Sequence, residues 1–298
     1  MMKKKILSLI GVFLFGFGIS MAQETFSPFL KTAEQNKSIE SLAEEISSAL
    51  KLANFNIVGQ YKPMHSGNLQ VICFTRKDLQ SASLSFKDRG ALASVLKIGL
   101  QKTASGVSIS ILNPMYMFYG YFQGNIAKQM TVLKQIDKDA KQVLSDKFGK
   151  LTPFGGELTS EKLVGYHYKV MMPYFTDPTI LETYSSFEEG LKHIQSKLAN
   201  SPNVEKVYMQ LYKEEQIAVF GLGLTNKEKG EASFLPIIGE SHVAALPYEI
   251  ILQGKDVSML PGKYRIALFW PELTMGTFMK IMSTPGDIES FFLEVTKK

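Results

Sequence analysis

Apolar residues along this chain switch repeatedly between two periods. From Ser38 onward, Ile39, Leu42, Ala43, Ile46, Ala49, Leu50 and Ala53 recur at steps of three and four, one face of an amphipathic helix that Asn54 ends. Residues 55–61 and 69–75 then read as strands, with Gly67–Asn68 supplying the turn between them. Asp88 is placed to cap a second helix whose apolar face is Ala91, Leu92, Val95, Leu96 and Leu100. Residues 107–112 alternate as a strand does, and Asn113–Pro114 closes them. Helix, strand, strand, helix, strand is the order of a two-layer α+β unit, with helices covering one face of a small mixed or antiparallel sheet.

Beyond that unit lies an aromatic cluster, residues 113–124, followed by a long helical period from Ile126 to Phe148. Gly149 ends the period, and Pro153–Phe154–Gly155–Gly156 marks a boundary. The expected division is therefore a lead-in over 23–37, a first α+β domain over 38–150 and a second over 157–298. In the second, residues 163–175 are apolar and aromatic, with Tyr166–His167–Tyr168 in a strand-like context. Ser185 or Ser186 can form a capping box with Glu188 or Glu189 ahead of a helix on Phe187, Leu191, Ile194 and Leu198. Residues 204–212, 216–224, 248–252 and 263–270 read as strands, and Thr284–Pro285–Gly286–Asp287 opens a last helix with threonine as its cap.

The halves share a rhythm. Each has a helix ending in Leu–Ala–Asn, at 52–54 and 198–200, and each continues into two strands. The shared order points to a duplicated α+β unit; the alternative is two unrelated halves whose helices end alike.

The first 22 residues change the picture from fold to address. Three lysines precede an apolar run from Ile6 to Ile19, and Ser20 and Ala22 put small residues where a signal peptidase reads. The expectation is an exported, periplasmic or extracellular protein with residues 1–22 removed; the rival is an uncleaved anchor, for which the run is slightly short. Cleavage removes three lysines and no acid, so most of the formal charge of +5 belongs to the leader. No basic patch suited to a nucleic-acid backbone remains. Cys73, the only cysteine, excludes an intrachain disulfide and reads as a buried small hydrophobe in an apolar strand.

Familiar catalytic signatures are missing. Gly221–Leu222–Gly223–Leu224 is hairpin backbone, not a phosphate loop, and neither a Gly-x-Ser-x-Gly elbow nor paired metal cysteines occur. His65, His167, His193 and His242 are far apart in sequence, so no cofactor or metal is expected. Two unusually apolar loops remain as candidate surfaces. One carries Tyr116, Phe118 and Tyr119; the other, residues 271–282 beyond a strand end, carries Met275, Thr277 and Phe278 among helically spaced methionines. His167 is a candidate pocket histidine. Arg265 shares an apolar strand with Ala267 and Phe269, so it is a candidate anion contact, or else the partner of Glu249 or Glu272.

Residues 38–114 resemble a domain-of-unknown-function 302 module. The likeness rests on a helix, residues 55–61 (Phe–Asn–Ile–Val–Gly–Gln–Tyr), residues 71–75 (Val–Ile–Cys–Phe–Thr), a further helix and a strand ending in Asn113–Pro114. A Cys–Asn–Pro tripeptide expected in such modules is absent, because Thr75 and Arg76 follow Phe74. Leu246–Pro247–Tyr248–Glu249, with residues 264–281, is similar to the tails of exported bacterial proteins. The resemblance implies a small α+β fold and carries no catalytic residue. The expected function is that of an exported, non-catalytic protein binding an apolar small molecule or a protein partner. The alternatives are an envelope hydrolase with a site assembled from dispersed His and Asp/Glu, and an oligomeric structural component of the envelope.

Overall fold

The structure, a computed structural model, describes residues 24–298; the leader read over 1–22 lies outside them. The chain is a mixed α+β protein whose two main sheets are antiparallel throughout. The first sheet has the order β3–β4–β5–β6–β2–β7, with β2 Phe29–Lys31, β3 Asn56–Tyr61, β4 Leu69–Thr75, β5 Leu96–Lys102, β6 Val107–Leu112 and β7 Thr152–Phe154. The second has the order β10–β11–β12–β13–β9, with β9 Thr179–Thr183, β10 Val204–Tyr212, β11 Ile217–Leu224, β12 Tyr248–Gln253 and β13 Asp256–Met259. A short ribbon pairs β1, Thr25–Phe26, with β8, Leu158–Thr159. The helices are α1 Ile39–Leu52, α2 Lys77–Leu84, α3 Pro114–Phe122, α4 Met130–Phe148, α5 Ser160–Val164, α6 Phe187–Leu198, α7 Glu231–Ile238, α8 Gly262–Phe269, α9 Met275–Lys280 and α10 Thr284–Thr296. In the described residues, none is long and apolar enough to cross a membrane.

The two halves run in the same order. β2–α1–β3–β4–α2–β5–β6–α3 is matched by β9–α6–β10–β11–α7–β12–β13–α8, and β3–β4–β5–β6–β2 by β10–β11–β12–β13–β9. Registers correspond as well: Ile98 faces Ile111 as Ile250 faces Met259, and Cys73 faces Lys97 as Gly221 faces Glu249. β3 and β10 each bulge, at Val58 and Val207.

The halves embrace reciprocally. The 3₁₀ turn Gly90–Ala93 packs on β11 and β12, while the 3₁₀ turn Glu240–Ala245 packs on β4, β5 and β6. Gly99 permits the second contact, since a Cβ there would meet Val243 Cγ1 at 2.5 Å. Gly59 permits the meeting of the two bulges, where a Cβ would lie 2.3 Å from the Val207 carbonyl oxygen. Tyr116 of α3 donates to the Leu268 carbonyl, and Tyr264 of α8 donates to the Gly120 carbonyl at 3.0 Å. Both pairs have the same offset within their helices, as in a two-fold dimer interface where i meets j and j meets i. One apolar core runs through both halves.

Several expectations fail for identifiable reasons. The helix expected over 91–100 is a 3₁₀ turn followed by β5. This strand is central and its first five residues are all buried, so apolar residues from both faces merge into a false helical spacing. The strand expected over 263–270 is α8, Gly262–Phe269, because a short run with only Lys263 exposed is too uniformly apolar to show which period it keeps. The loop expected around Tyr116 is the equally enclosed α3. Residues 166–168 belong to no strand. The lead-in is not irregular: β2 sits inside the first sheet, between β6 and β7. The polar α2 carries too few apolar residues for its period to predict it, with only Leu79, Ala82 and Ser83 buried. The capping box holds, with Ser186 accepting from the Glu189 amide and Glu189 accepting from Ser185. The last helix begins at Thr284, but its cap position is Ser283, without a side-chain cap bond.

Candidate functional site: an apolar cavity beside Trp270

A cavity of about 200 Å³ lies between α8, α9 and the segment 168–172. Ile266, Ala267 and Trp270 of α8 and its C-terminal end form one wall; Leu273, Met275 and Phe278 form another. The third wall is Tyr168, Lys169, Val170 and Met172. Lys263 completes the lining, so two lysines and no acid border an otherwise apolar space.

Local chemistry holds each wall. Residues 166–175 form a strap fastened at both ends. Tyr166 is buried and donates to the Ala267 carbonyl at 2.7 Å, while Phe175 is buried against the rings of Tyr121 and Tyr264. Between these anchors, Val170 is 86% and Met171 96% exposed. His167 stays inside the strap, its Nδ1 2.9 Å from the Lys169 carbonyl and its ring 4.4 Å from that of Tyr174. α9 is started by Thr274, whose Oγ1 accepts from the Thr277 amide at 3.1 Å. Met275, Met279 and Met282 are each more than half exposed. The indole of Trp270 is buried and stacks on His242, and its Nε1 has no acceptor. Burial pushes the His242 imidazole down to about 4, so that ring is neutral at ordinary pH.

The candidate residues separate. Met275 and Phe278 line the cavity, Thr277 caps the helix that carries them, and His167 shapes the strap. Tyr116, Phe118 and Tyr119 do not join them. Tyr116 ties the halves together, Phe118 stacks on Phe122, and Tyr119 packs on Phe26. By the offset that relates the two tyrosine bonds, Phe118 and Tyr119 occupy on α3 the places of Ile266 and Ala267 on α8. Sequence reasoning missed Tyr168, Lys169, Val170, Met172, Lys263 and Trp270 as lining residues. Once residues 263–270 are read as a helix, Lys263, Ile266, Ala267 and Trp270 fall at three- and four-residue steps on one face, and that was the available signal.

Arg265 is enclosed, 2% exposed, and turned away from solvent. Its Nε and Nη2 lie 3.2 and 3.1 Å from Glu249 Oε2, and Nη2 also donates to the Pro247 carbonyl at 2.8 Å. Lys97 pairs with the other oxygen of Glu249. Glu249, rather than Glu272, is therefore the partner. Burial opposes the Arg265 charge, but Glu249 outweighs it and holds the guanidinium protonated; burial draws Lys97 down against the same carboxylate. Cys73 is buried nearby, its thiol pushed up to about 12 by burial, which makes it unreactive. No hydrogen bond or ring contact joins any two of the four histidines, and the described residues hold no cluster of three or more metal-binding side chains.

No family model matches the chain, and no curated protein matches it. Among solved structures it is similar to the crystal structure of an uncharacterized conserved protein of the domain-of-unknown-function 302 type from Bacillus stearothermophilus. The sequences are 10% identical, with 40% of this chain and 96% of the other covered, at a TM-score of 0.35. This is a weak and partial resemblance to that family.

Proposed function

We propose that this is an exported, non-catalytic binding protein whose ligand is a small apolar molecule held beside Trp270. The observation that carries the reading is the cavity itself: about 200 Å³, walled by aliphatic, methionine and aromatic side chains. Polar groups there are few and peripheral, as is usual for small-molecule sites. Methionines adapt their shape to a ligand better than branched side chains do. The exposed Val170, Met171, Met279 and Met282 favour a second reading, in which the rim docks a protein partner. Export rests on the leader, and a mature protein starting at Gln23 is its direct test.

Trp270 is the only tryptophan of the chain, so its fluorescence reports on this wall alone. Titration with 1-octanol is expected to give a saturable change in Trp270 emission, which Ala267→Phe, by filling the wall, weakens at least tenfold. A flat titration with a folded protein would remove the reading. Mass spectrometry of protein extracted from its native envelope then identifies the natural occupant.

A further inference from the structure

Lys169 and Lys263 approach the cavity from different elements, the strap and the first turn of α8. Both are exposed, neither forms an ion pair, and no acid lines the space. Two cations without a carboxylate partner at the mouth of an apolar space, Lys169 with its ammonium 5.3 Å from the Tyr168 ring centroid, complement a molecule with an apolar body and an anionic end.

From this geometry we infer that the ligand is an anionic amphiphile, a carboxylate on a short alkyl chain or single aromatic ring. The apolar part fills the space between α8 and α9 and the carboxylate is held by Lys169 and Lys263. Size narrows the class. A dry cavity of roughly 150 Å³ holds a benzene ring, so about 200 Å³ takes a chain of roughly eight carbons. Longer chains would leave their excess in solvent. This inference rests on the proposed apolar site and adds to it the charge and length of the occupant.

Other parts of the molecule do not compete. The hollow beside Tyr121 and Phe122 is bordered by Lys87, Asp88 and Lys128, charges of both signs. The buried Lys97–Glu249–Arg265 cluster lines none of the cavities described.

The test compares three probes of equal chain length by Trp270 fluorescence and calorimetry: octanoate, 1-octanol and octyltrimethylammonium. Octanoate is expected to bind roughly fivefold tighter than octanol, the scale of one or two exposed charge contacts, and the cationic probe more weakly than either. Raising the salt should narrow the gap. The double variant Lys169→Gln, Lys263→Gln changes only exposed side chains, and its unfolding midpoint confirms the fold. It should bind octanoate no better than octanol while binding octanol as before. Affinity among carboxylates should rise up to about eight carbons and then level off. Equal binding of all three probes, or an octanoate preference that survives the double variant, would overturn the anionic assignment and leave the apolar site standing. Binding of none of the three would overturn both.

Discussion

The first half carries Lys97 where the second carries Glu249, and Met117 where the second carries Arg265. Around these positions the register of the strands, the bulges at Val58 and Val207 and the tyrosines that bond across the junction repeat. The difference teaches how a near-symmetric junction tolerates buried charge. Two identical lysines or two identical glutamates would face each other near the pseudo-dyad, whereas Lys97 against Glu249 is attractive. Arg265 adds a second cation to Glu249, so the carboxylate serves two partners in a space with almost no solvent. The outer faces differ in the same way. Phe118 and Tyr119 on α3 are covered by aromatic rings, while Ile266 and Ala267, their counterparts on α8, face the cavity. One copy of the motif has been filled and the other left open.

Substitution at the charged junction has the largest expected effect. Glu249→Leu leaves two buried cations without their anion and should cost about 3–5 kcal/mol in urea unfolding. Lys97→Met keeps Arg265 with Glu249 and should cost less than half as much. Equal losses would show that the two ends of the pair carry equal weight and that Arg265 adds nothing.

A smaller effect, of a different kind, comes from two groups by which the second half reaches into the first. Glu231 accepts from Tyr61 and from the Met64 amide, and His242 packs its ring on Phe29 and Phe154. Burial raises the Glu231 carboxyl to about 7, despite the hydrogen bonds it accepts. The unfolded chain ionises this group near its usual 4.5, so its contribution to stability falls as pH rises from there through 7. The loss is on the order of 3 kcal/mol. His242 has the opposite sign. Its depressed value of about 4 means that stability is lost as pH falls from the ordinary 6.5 toward 4. Between those limits the slopes oppose each other. Glu231→Gln should therefore expose an acid-labile protein, and His242→Phe one that weakens as pH rises. Unfolding midpoints at four pH values decide the matter; three parallel curves would exclude both assignments.

The smallest effect tests the symmetry itself. Tyr116→Phe and Tyr264→Phe each remove one hydroxyl from one carbonyl and should each cost about 1 kcal/mol. Their costs should agree within about 0.5 kcal/mol. A large inequality would mean that the junction is symmetric in shape but not in energy.

Much of the fold was legible wherever one face of an element meets water. The spacing on α1 and α6 follows from half-burial, which writes a period into the sequence. Burial on both faces removes that period, and then only flanking turns help: β4 and β11, buried along their whole length, still read as strands beside the Gly67–Asn68 turn and the polar 213–215 turn, whereas other enclosed segments did not. The first five residues of β5 and all of α3 are covered, and α8 exposes only Lys263 of its eight residues, so polar positions are too few to mark a two- or 3.6-residue period. The cavity sits on one of these illegible helices. Met275 and Phe278 could be found because α9 is exposed and amphipathic, whereas Trp270 and Lys263 could not while their segment was read as a strand. The strap escaped for another reason: its position depends on Tyr166 and Phe175 meeting residues about a hundred positions away. The Leu–Ala–Asn echo, by contrast, was a faint trace of a repeat that strand order and register display in full.

The close approach of Gly59 to Val207 reaches beyond the junction. Edge strands are open templates on which other chains can grow a sheet. Here β3 and β10, each an edge of its own sheet, press their bulges together. Of the remaining edges, β7 is three residues long and contains Pro153, and β9 has five residues. Recruitment of another protein by strand addition is thus poorly served at β3, β10 and β7, and β9 is the border of ordinary strand length. At the β3 and β10 edges, sheet growth is discouraged by the same backbone contact that seats one half against the other.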